Sequence, residues 1–558
     1  MTKTTKSKKT GKIEGSESQA GAVERIGVLV VHGVGEQSHY EHLEGIASNF
    51  VTALRLDRER PPHVQLLTRA GGDSGGSALD GSSTRAIVSW RRPGDGTRMQ
   101  VHYREVFWAD LDEGVSLWRW MKLVGWALAM PGIRVFDKTK SESGALPDMV
   151  PPKALSLGAW IVVRAQLLLT ALLFFLMLIS VDLLYWLLTR LSFKATWIGA
   201  LRDLIYDYLG DVKLYQDWVT RKDDRVEVVG EKSRVAIRRR MVRALVAMAR
   251  DVTEGRLDGF YVVAHSLGTV VAFNALMEHG HRLPNYLTEE EWLNLPGGFE
   301  QDIPGIKDKD ASPPRPPWLG PDAGIDRAAL FAGLRGVLTL GSPLNKFAAL
   351  WPAIVPANGE PVPGQRPWIN VADIQDIVAG KVSLWCTNES ACMVGGLAVT
   401  NVEWADQWTL ATAHTHYWWA GSTGDRLIDR LIPWFEGKPF ERPRDRLQPW
   451  AARVIYWASL AILGLIPLVG MAYLIWLLRH AGDLLQVLTQ AALNKQALAA
   501  WMTDIWKVMT AIDWWTLVRR GAVIFVTGTV IVGGFALIRR GWEWLKFGDK
   551  PGTKKASS

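Results

Sequence analysis

Short apolar runs that alternate with turn signals organise the middle of the chain. Runs rich in Val, Leu and Ile occupy residues 27–31, 259–263, 336–340 and 368–372. Each has the length of a strand that is buried on both faces. The run at 259–263 leads into the apolar segment 269–276, which is typical of a buried helix. Buried strands that alternate with helices predict an α/β domain with a mostly parallel sheet and helices on both faces.

Three longer apolar segments indicate a second kind of structure. Residues 165–188, 454–478 and 521–538 are almost free of charged side chains. Each is close to the ~20 residues that cross the hydrocarbon of a bilayer. Arginines and tryptophans flank the last two segments, as they do at membrane interfaces. The sequence therefore predicts transmembrane helices that are inserted into the α/β domain and appended to it.

A serine lies on the turn between a predicted strand and a predicted helix, in the segment Ala-His-Ser-Leu-Gly that is centred on Ser266. A sharp turn of this kind exposes a hydroxyl for nucleophilic attack, and the segment departs from Gly-x-Ser-x-Gly only at Ala264. The alternative is an ordinary buried turn. Ser342 is a second serine near the expected site, but Pro343 follows it and indicates a loop.

A glycine-rich loop follows the first predicted strand, with the sequence His-Gly-Val-Gly-Glu-Gln at residues 32–37. Glycines let the backbone approach a substrate closely. An N–H group from such a loop and the N–H of the residue after the nucleophile can together form an oxyanion hole. Gly33, Val34 and Leu267 are the candidates for this role. An ordinary Gly-rich turn is the alternative.

Carboxylates and histidines follow the serine in the order that a Ser-Asp-His triad requires. Asp373 and Asp376 come directly after the predicted strand at 368–372, and His414 and His416 lie in a later loop. A general base must reach the serine hydroxyl, and a buried carboxylate must fix the tautomer of that base. The order alone leaves either aspartate as the acid and either histidine, His414 first, as the base.

These motifs resemble those of lipase-type α/β-hydrolases, and most of all those of intracellular phospholipase A enzymes of the DDHD-domain type. The similar segments are His-Gly-Val-Gly-Glu-Gln at 32–37, His-Ser-Leu-Gly at 265–268, Leu-Gly-Ser-Pro-Leu at 340–344, Asp-Ile-Val-Ala at 376–379 and His-Thr-His-Tyr-Trp at 414–418. The resemblance implies an α/β-hydrolase fold. It also implies Ser266 as the nucleophile, Asp376 as the acid and His414 as the base. Ile377 departs from the proline that those enzymes have at this position.

Three functions are compatible with these residues. The first is a membrane-anchored serine hydrolase, similar to lipases and phospholipases, that cleaves lipid acyl esters. The second is an esterase or thioesterase for acyl groups on lipids or proteins. The third is a non-catalytic membrane effector that keeps the hydrolase fold, and the complete Ser-Asp-His set argues against it.

The membrane segments divide the predicted domain. Because the glycine-rich loop precedes the segment 165–188 and the other motifs follow it, the chain has to cross a bilayer an even number of times between them. Residues 117–130 either form a helical hairpin with 165–188, which we favour, or lie in the membrane interface. The predicted divisions are a basic tail at 1–23, a first hydrolase part at 24–112, a membrane-associated insertion at 113–198, a second hydrolase part at 199–440, and a transmembrane hairpin with a basic tail at 441–558.

Charge and cysteine content refine this picture. Basic residues flank the C-terminal hairpin on the hydrolase side, which predicts a multi-pass membrane protein whose hydrolase domain faces the cytoplasm. The net charge of +8 has no basic-aromatic motif beside it, so we expect a lipid bilayer and a membrane lipid substrate as partners rather than nucleic acid. Cys386 and Cys392 provide neither a disulfide framework nor a zinc set. Without a metal or cofactor motif, we expect neither.

Overall fold

The computed structural model describes residues 22–33, 41–57, 60–68, 84–111, 215, 231–304, 313–350, 355, 359–383, 392–408, 413–418 and 426–459. The strands are β1 Val23–Val31, β2 His63–Thr68, β3 Thr84–Arg91, β4 Arg98–Val106, β5 Gly259–His265, β6 Glu300–Asp302, β7 Ala323–Ile325, β8 Leu334–Leu340, β9 Arg366–Asp373, β10 Cys392–Val394 and β11 Leu397–Trp404. The helices are α1 Glu41–Leu56, α2 Ser233–Thr253, α3 Gly268–Leu276, α4 Glu289–Leu293, α5 Arg327–Phe331, α6 Leu344–Leu350 and α7 Leu427–Phe435.

One large sheet holds nine of these strands, in the spatial order β10-β11-β9-β8-β5-β1-β4-β3-β2. The six neighbouring strands from β11 to β4 are parallel. At the edges, β10 is antiparallel to β11, β3 to β4 and β2 to β3. The carboxyl ends of the six parallel strands therefore meet along one edge of the sheet, and loops that follow them lie close together.

Helices cover both faces of the sheet because its central strands are apolar on both sides. Every residue of β5 is buried. In β1, Leu29 and Val31 pack in one cluster with α2 and α3, while Val28 and Val30 pack in a second cluster with α1 and α7. The short apolar runs in the sequence thus form buried parallel strands, as we expected for an α/β domain.

The part of the fold prediction that concerns transmembrane helices is wrong. No helix among the described residues is both long and apolar enough to cross a bilayer. This finding also overturns the predicted multi-pass localisation with a hydrolase domain facing the cytoplasm. The candidate segments 117–130, 165–188 and 521–538, and most of 454–478, lie outside the described residues. The longest described helix, α2, has 21 residues and is crossed by arginines.

Both predicted parts of the domain contribute to the large sheet. Strands β1 to β4 come from before residue 112, and β5 and β8 to β11 come from after residue 231. The exact domain boundaries stay a prediction. Cys392, the first residue of β10, is buried and disulfide-bonded, which the cysteine count did not indicate.

Candidate active site

Ser266 occupies the sharp turn between β5 and α3. Its φ is +52°, and it is the one non-glycine residue with positive φ that the structure describes. Its N–H donates to the carbonyl of Leu340 at 2.9 Å, and its own carbonyl accepts the hydroxyl of Thr269 at 2.7 Å. A left-handed conformation costs a non-glycine residue about 1–3 kcal/mol and is held by its surroundings. Here the neighbouring strand and the first turn of α3 hold it.

Two glycines allow the end of β1 to pack directly on this turn. A Cβ at Gly33 would lie 2.5 Å from the Cβ of Ser266. A Cβ at Gly268 would collide with the carbonyl oxygens of Val31 and His32. Because those atoms are backbone or belong to the buried serine, neither clash can be relieved by a side-chain movement. The glycines of both sequence motifs are therefore required by one contact between β1 and the serine turn.

A chain of hydrogen bonds joins Ser266, His414 and Asp376. The hydroxyl of Ser266 lies 2.7 Å from Nε2 of His414, and Nδ1 of His414 lies 2.9 Å from Oδ2 of Asp376. An ionised carboxylate only accepts hydrogen bonds, so Nδ1 carries the proton and Nε2 is free to accept the hydroxyl. Ser266 is fully buried, while 13% of the His414 side chain is exposed. This is the arrangement in which an imidazole can take a proton from a serine.

Asp376 is held as a carboxylate by its surroundings. Burial by itself raises the pKa of Asp376, but the neighbouring His414 and the hydrogen bonds from His414, Tyr417 and Val378 outweigh it and lower the pKa to about 2. Its Oδ1 accepts the N–H groups of Val378 at 2.8 Å and Ala379 at 3.1 Å. The carboxylate is therefore ionised and fixed at neutral pH, as a group that orients an imidazole must be.

The alternative residues lie elsewhere. Asp373 accepts the N–H groups of Gln375, Asp406 and Gln407, and thereby joins the end of β9 to the loop after β11. His416 begins a 3-10 turn, His416–Trp418, with its Nδ1 3.4 Å from the hydroxyl of Thr415. Ser342 hydrogen-bonds Thr269 at 2.8 Å. The structure brings Asp376 and His414 to Ser266, and none of these three.

Two side chains that sequence reasoning did not assign support the triad. The hydroxyl of Tyr417 donates to Oδ2 of Asp376 at 2.8 Å and accepts the N–H of Asp373 at 2.9 Å. Nε2 of His265 donates to the carbonyl of His414 at 2.7 Å. Burial and the neighbouring His414 lower the pKa of His265 to about 3, so it is neutral near pH 7. Only their positions in the sequence could have identified them: His265 directly precedes Ser266, and Tyr417 follows His414 by three residues.

A buried polar ladder fixes the loop that carries Asp376. Thr339 on β8 donates to Asn370 on β9 at 2.8 Å, and Asn370 donates to the carbonyl of Gly380 at 3.0 Å and to Asn401 on β11 at 2.9 Å. On the outside of the same loop, the ammonium group of Lys346 donates to the carbonyls of residues 377, 378 and 379. Three neighbouring strands and one helix thus determine where the carboxylate lies.

The candidate oxyanion groups are placed in part. Within the described residues, the N–H of Leu267 donates to no backbone carbonyl. Gly33 lies against Ser266. The Nδ1–H of His32 donates to the carbonyl of Gly33 at 2.8 Å. Nε2 of the same ring accepts the backbone N–H of Trp108 at 3.0 Å. His32 therefore ties the glycine-rich loop to the end of β4. Val34, the third candidate, lies outside the described residues.

The chain gives no significant match to protein-family models, to curated proteins or to solved structures. In the part of the chain that the structure describes, no group of three or more His, Cys, Asp or Glu side chains could hold a metal ion. The lack of a cofactor stays a prediction.

We expect Tyr417→Phe to lower kcat for ester hydrolysis about tenfold. The hydroxyl donates to an ionised carboxylate, and hydrogen bonds to charged groups contribute about 1.5–3 kcal/mol. Tyr261→Phe is the matched control, since that buried hydroxyl donates to the carbonyl of Trp434 at 3.1 Å and contacts no triad residue. Steady-state kinetics on a soluble ester measure the effect. An equal loss of kcat in Tyr417→Phe and Tyr261→Phe would show that the Tyr417 hydroxyl acts only on the stability of the fold.

Asp373 is expected to make stability depend on pH. Burial raises the pKa of Asp373 to about 7, against three opposing backbone N–H groups. The folded protein keeps a proton on Asp373 that the unfolded chain loses above pH ~4. The free energy of unfolding of the wild type, relative to that of Asp373→Asn, should therefore fall as the pH rises from ~4 to ~7, by about 4 kcal/mol at most. Urea denaturation at several pH values measures this difference.

If the difference in the free energy of unfolding between the wild type and Asp373→Asn does not change with pH, the backbone N–H groups keep Asp373 ionised in the folded protein. Ester hydrolysis provides the control. Asp373→Asn should affect it mildly, because the Asp373 carboxylate hydrogen-bonds backbone N–H groups and not His414. Asp376→Asn should reduce it by orders of magnitude, because the imidazole then loses its charged partner.

Proposed function

We propose that this protein is a serine hydrolase that cleaves carboxylic esters. The observation that carries the proposal is the hydrogen-bond chain from Asp376 through His414 to Ser266, at 2.9 and 2.7 Å. The left-handed backbone of Ser266 between a buried strand and a helix supports it. The resemblance of the sequence motifs to lipase-type α/β-hydrolases points to the same chemistry.

In the first step, the Ser266 hydroxyl attacks the ester carbonyl and His414 takes its proton at Nε2. Asp376 stabilises the imidazolium that forms. We expect the N–H groups of Leu267 and of the glycine-rich loop at Gly33 to bind the oxyanion. Collapse of the tetrahedral intermediate releases the alcohol, which receives the proton from His414, and leaves an acyl group on Ser266.

In the second step, water hydrolyses the acyl-enzyme. His414 takes a proton from the water, and the resulting hydroxide attacks the acyl carbonyl. The second tetrahedral intermediate releases the carboxylic acid and returns the proton to Ser266. Because Ser266 is fully buried and the His414 side chain is partly exposed, we expect the ester to approach from the side of His414.

The substrates that we propose are lipid acyl esters. The motif resemblance supports this class, and so do apolar side chains near the acid. Ile377, next to Asp376, is 45% exposed, and Trp408, next to a residue that hydrogen-bonds Asp373, is 63% exposed. Exposed apolar side chains at this edge of the sheet offer contact area to an acyl chain.

Labelling with a fluorophosphonate, followed by mass spectrometry of the modified peptide, tests the proposal. Such reagents phosphylate a serine that a neighbouring base activates, so we expect modification at Ser266 alone. A series of soluble esters tests the substrate class, with kcat/KM expected to rise with acyl length. A folded protein that the reagent leaves unmodified would contradict the proposal.

A further inference from the structure

A cavity of about 380 Å³ lies at the end of the sheet opposite the triad. Its lining comes from the first half of β1, the middle of β4, the last turns of α2 and the turn between α2 and β5: Arg25, His102, Tyr103, Arg104, Met248, Asp251, Gly255, Arg256 and Leu257. Leu257 precedes β5 and Ser266 follows it, so the length of a seven-residue strand, about 20 Å, separates the cavity from the nucleophile. The cavity is therefore no part of the ester site.

Guanidinium groups outnumber carboxylates in this lining. Arg104 and Asp251 form an ion pair at 2.5 Å, with side chains only 3% and 2% exposed. The other oxygen of Asp251 accepts Nε of Arg256 at 2.7 Å. One carboxylate of the lining thus serves two arginines, and Arg256 also pairs with Glu254, which lies outside the lining. With Arg25, the residues of the lining itself have a formal excess of two positive charges.

Arg25 lines the cavity, and its side chain has no charged partner among the residues that the structure describes. Its backbone N–H donates to the carboxylate of Asp258 at 2.7 Å. The residue is half-buried, and its guanidinium forms no hydrogen bond or ion pair with the rest of the described chain. A partly desolvated cation of this kind is stabilised when an anion enters beside it.

We propose that this cavity binds a small organic molecule that carries a phosphate monoester or a similar dianionic group. The planar forks of arginine match phosphate oxygens in pairs. A volume of about 380 Å³ exceeds what a single phosphate fills and lies within the range of small-molecule pockets. Met248 and Leu257 supply an apolar wall for the organic part.

Isothermal titration calorimetry tests the site, with inorganic phosphate and glycerol 3-phosphate as probes and chloride at matched ionic strength as the blank. We expect both probes to bind the full chain, the monoester at least as tightly. Arg25→Gln should raise both dissociation constants about tenfold or more, because it removes a charge-assisted hydrogen bond. Arg25 and Arg256 are both partly exposed, so Arg256→Gln is a second variant that is expected to fold.

Arg335→Gln is the matched control, since Arg335 lies at the same end of the sheet and pairs with Glu24 outside the cavity. It should bind both probes as the wild type does. Equal dissociation constants for wild type and Arg25→Gln would overturn the proposal, and so would binding of phosphatidic acid vesicles without binding of either soluble probe. None of these measurements uses ester hydrolysis, so the result is independent of the proposed function.

Discussion

Replacement of Ser266 by alanine is expected to abolish ester hydrolysis and fluorophosphonate labelling. The variant loses the attacking atom, and removal of a triad nucleophile lowers kcat by a factor on the order of 10⁴ to 10⁶. The fold should persist, because the hydroxyl's hydrogen bond in the structure is to His414, whose imidazole keeps its bond to Asp376. Hydrolysis of a soluble ester and labelling intensity measure the effect, with circular dichroism to check folding.

Ser342→Ala is the matched control for this experiment. Ser342 is as fully buried as Ser266 and also hydrogen-bonds near the site, through Thr269 at 2.8 Å. Its loss should leave labelling intact and lower kcat slightly at most. If the Ser266→Ala variant is labelled fully while the Ser342→Ala variant is not, the nucleophile has been assigned to the wrong residue.

The second large effect is expected at the base. His414→Ala should reduce kcat as severely as Ser266→Ala, because a serine hydroxyl without a proton acceptor is a weak nucleophile. His416→Ala should have a mild effect, since its ring contacts Thr415 and does not reach Ser266. The two histidines lie two residues apart, so general damage to this loop would lower kcat in both variants.

The kinetics of the two variants separate a catalytic base from a structural histidine. The His416→Ala variant should keep a kcat/KM close to that of the wild type, whereas the His414→Ala variant should lose it almost completely. A variant without His414 that retains the kcat/KM of the wild type would show that another group takes the proton.

Strands β1, β5, β8 and β9 and the triad motifs could be predicted because each depends on neighbouring residues. An apolar run followed by Ser-Leu-Gly indicates a strand, a turn and a helix within about ten residues, and the structure has them as β5, Ser266 and α3. The acid and the base were harder to choose, because spacing in the sequence does not show which carboxylate, Asp373 or Asp376, points toward the histidine. Backbone N–H groups 33 and 34 residues away hydrogen-bond Asp373, and a local sequence pattern does not show them.

Other contacts between residues that are far apart in the sequence could not be predicted for the same reason. His265 contacts His414 across 149 positions, and Arg104 meets Asp251 across 147. Nothing in a single sequence pairs such residues. The prediction of transmembrane helices rested on hydropathy alone. No described helix is long and apolar enough to cross a bilayer, and the apolar helix α3 has only nine residues and is packed inside the domain.

The central position of β1 affects how the chain folds during synthesis. β1 pairs with β4 on one side, but on the other its residues 26–31 pair with residues 259–264, which the ribosome adds about 230 positions later. Until β5 emerges, that side of β1 has unpaired N–H and C=O groups among apolar side chains, the combination that promotes association between nascent chains. Molecular chaperones are therefore expected to bind the chain during this interval, before the serine turn exists.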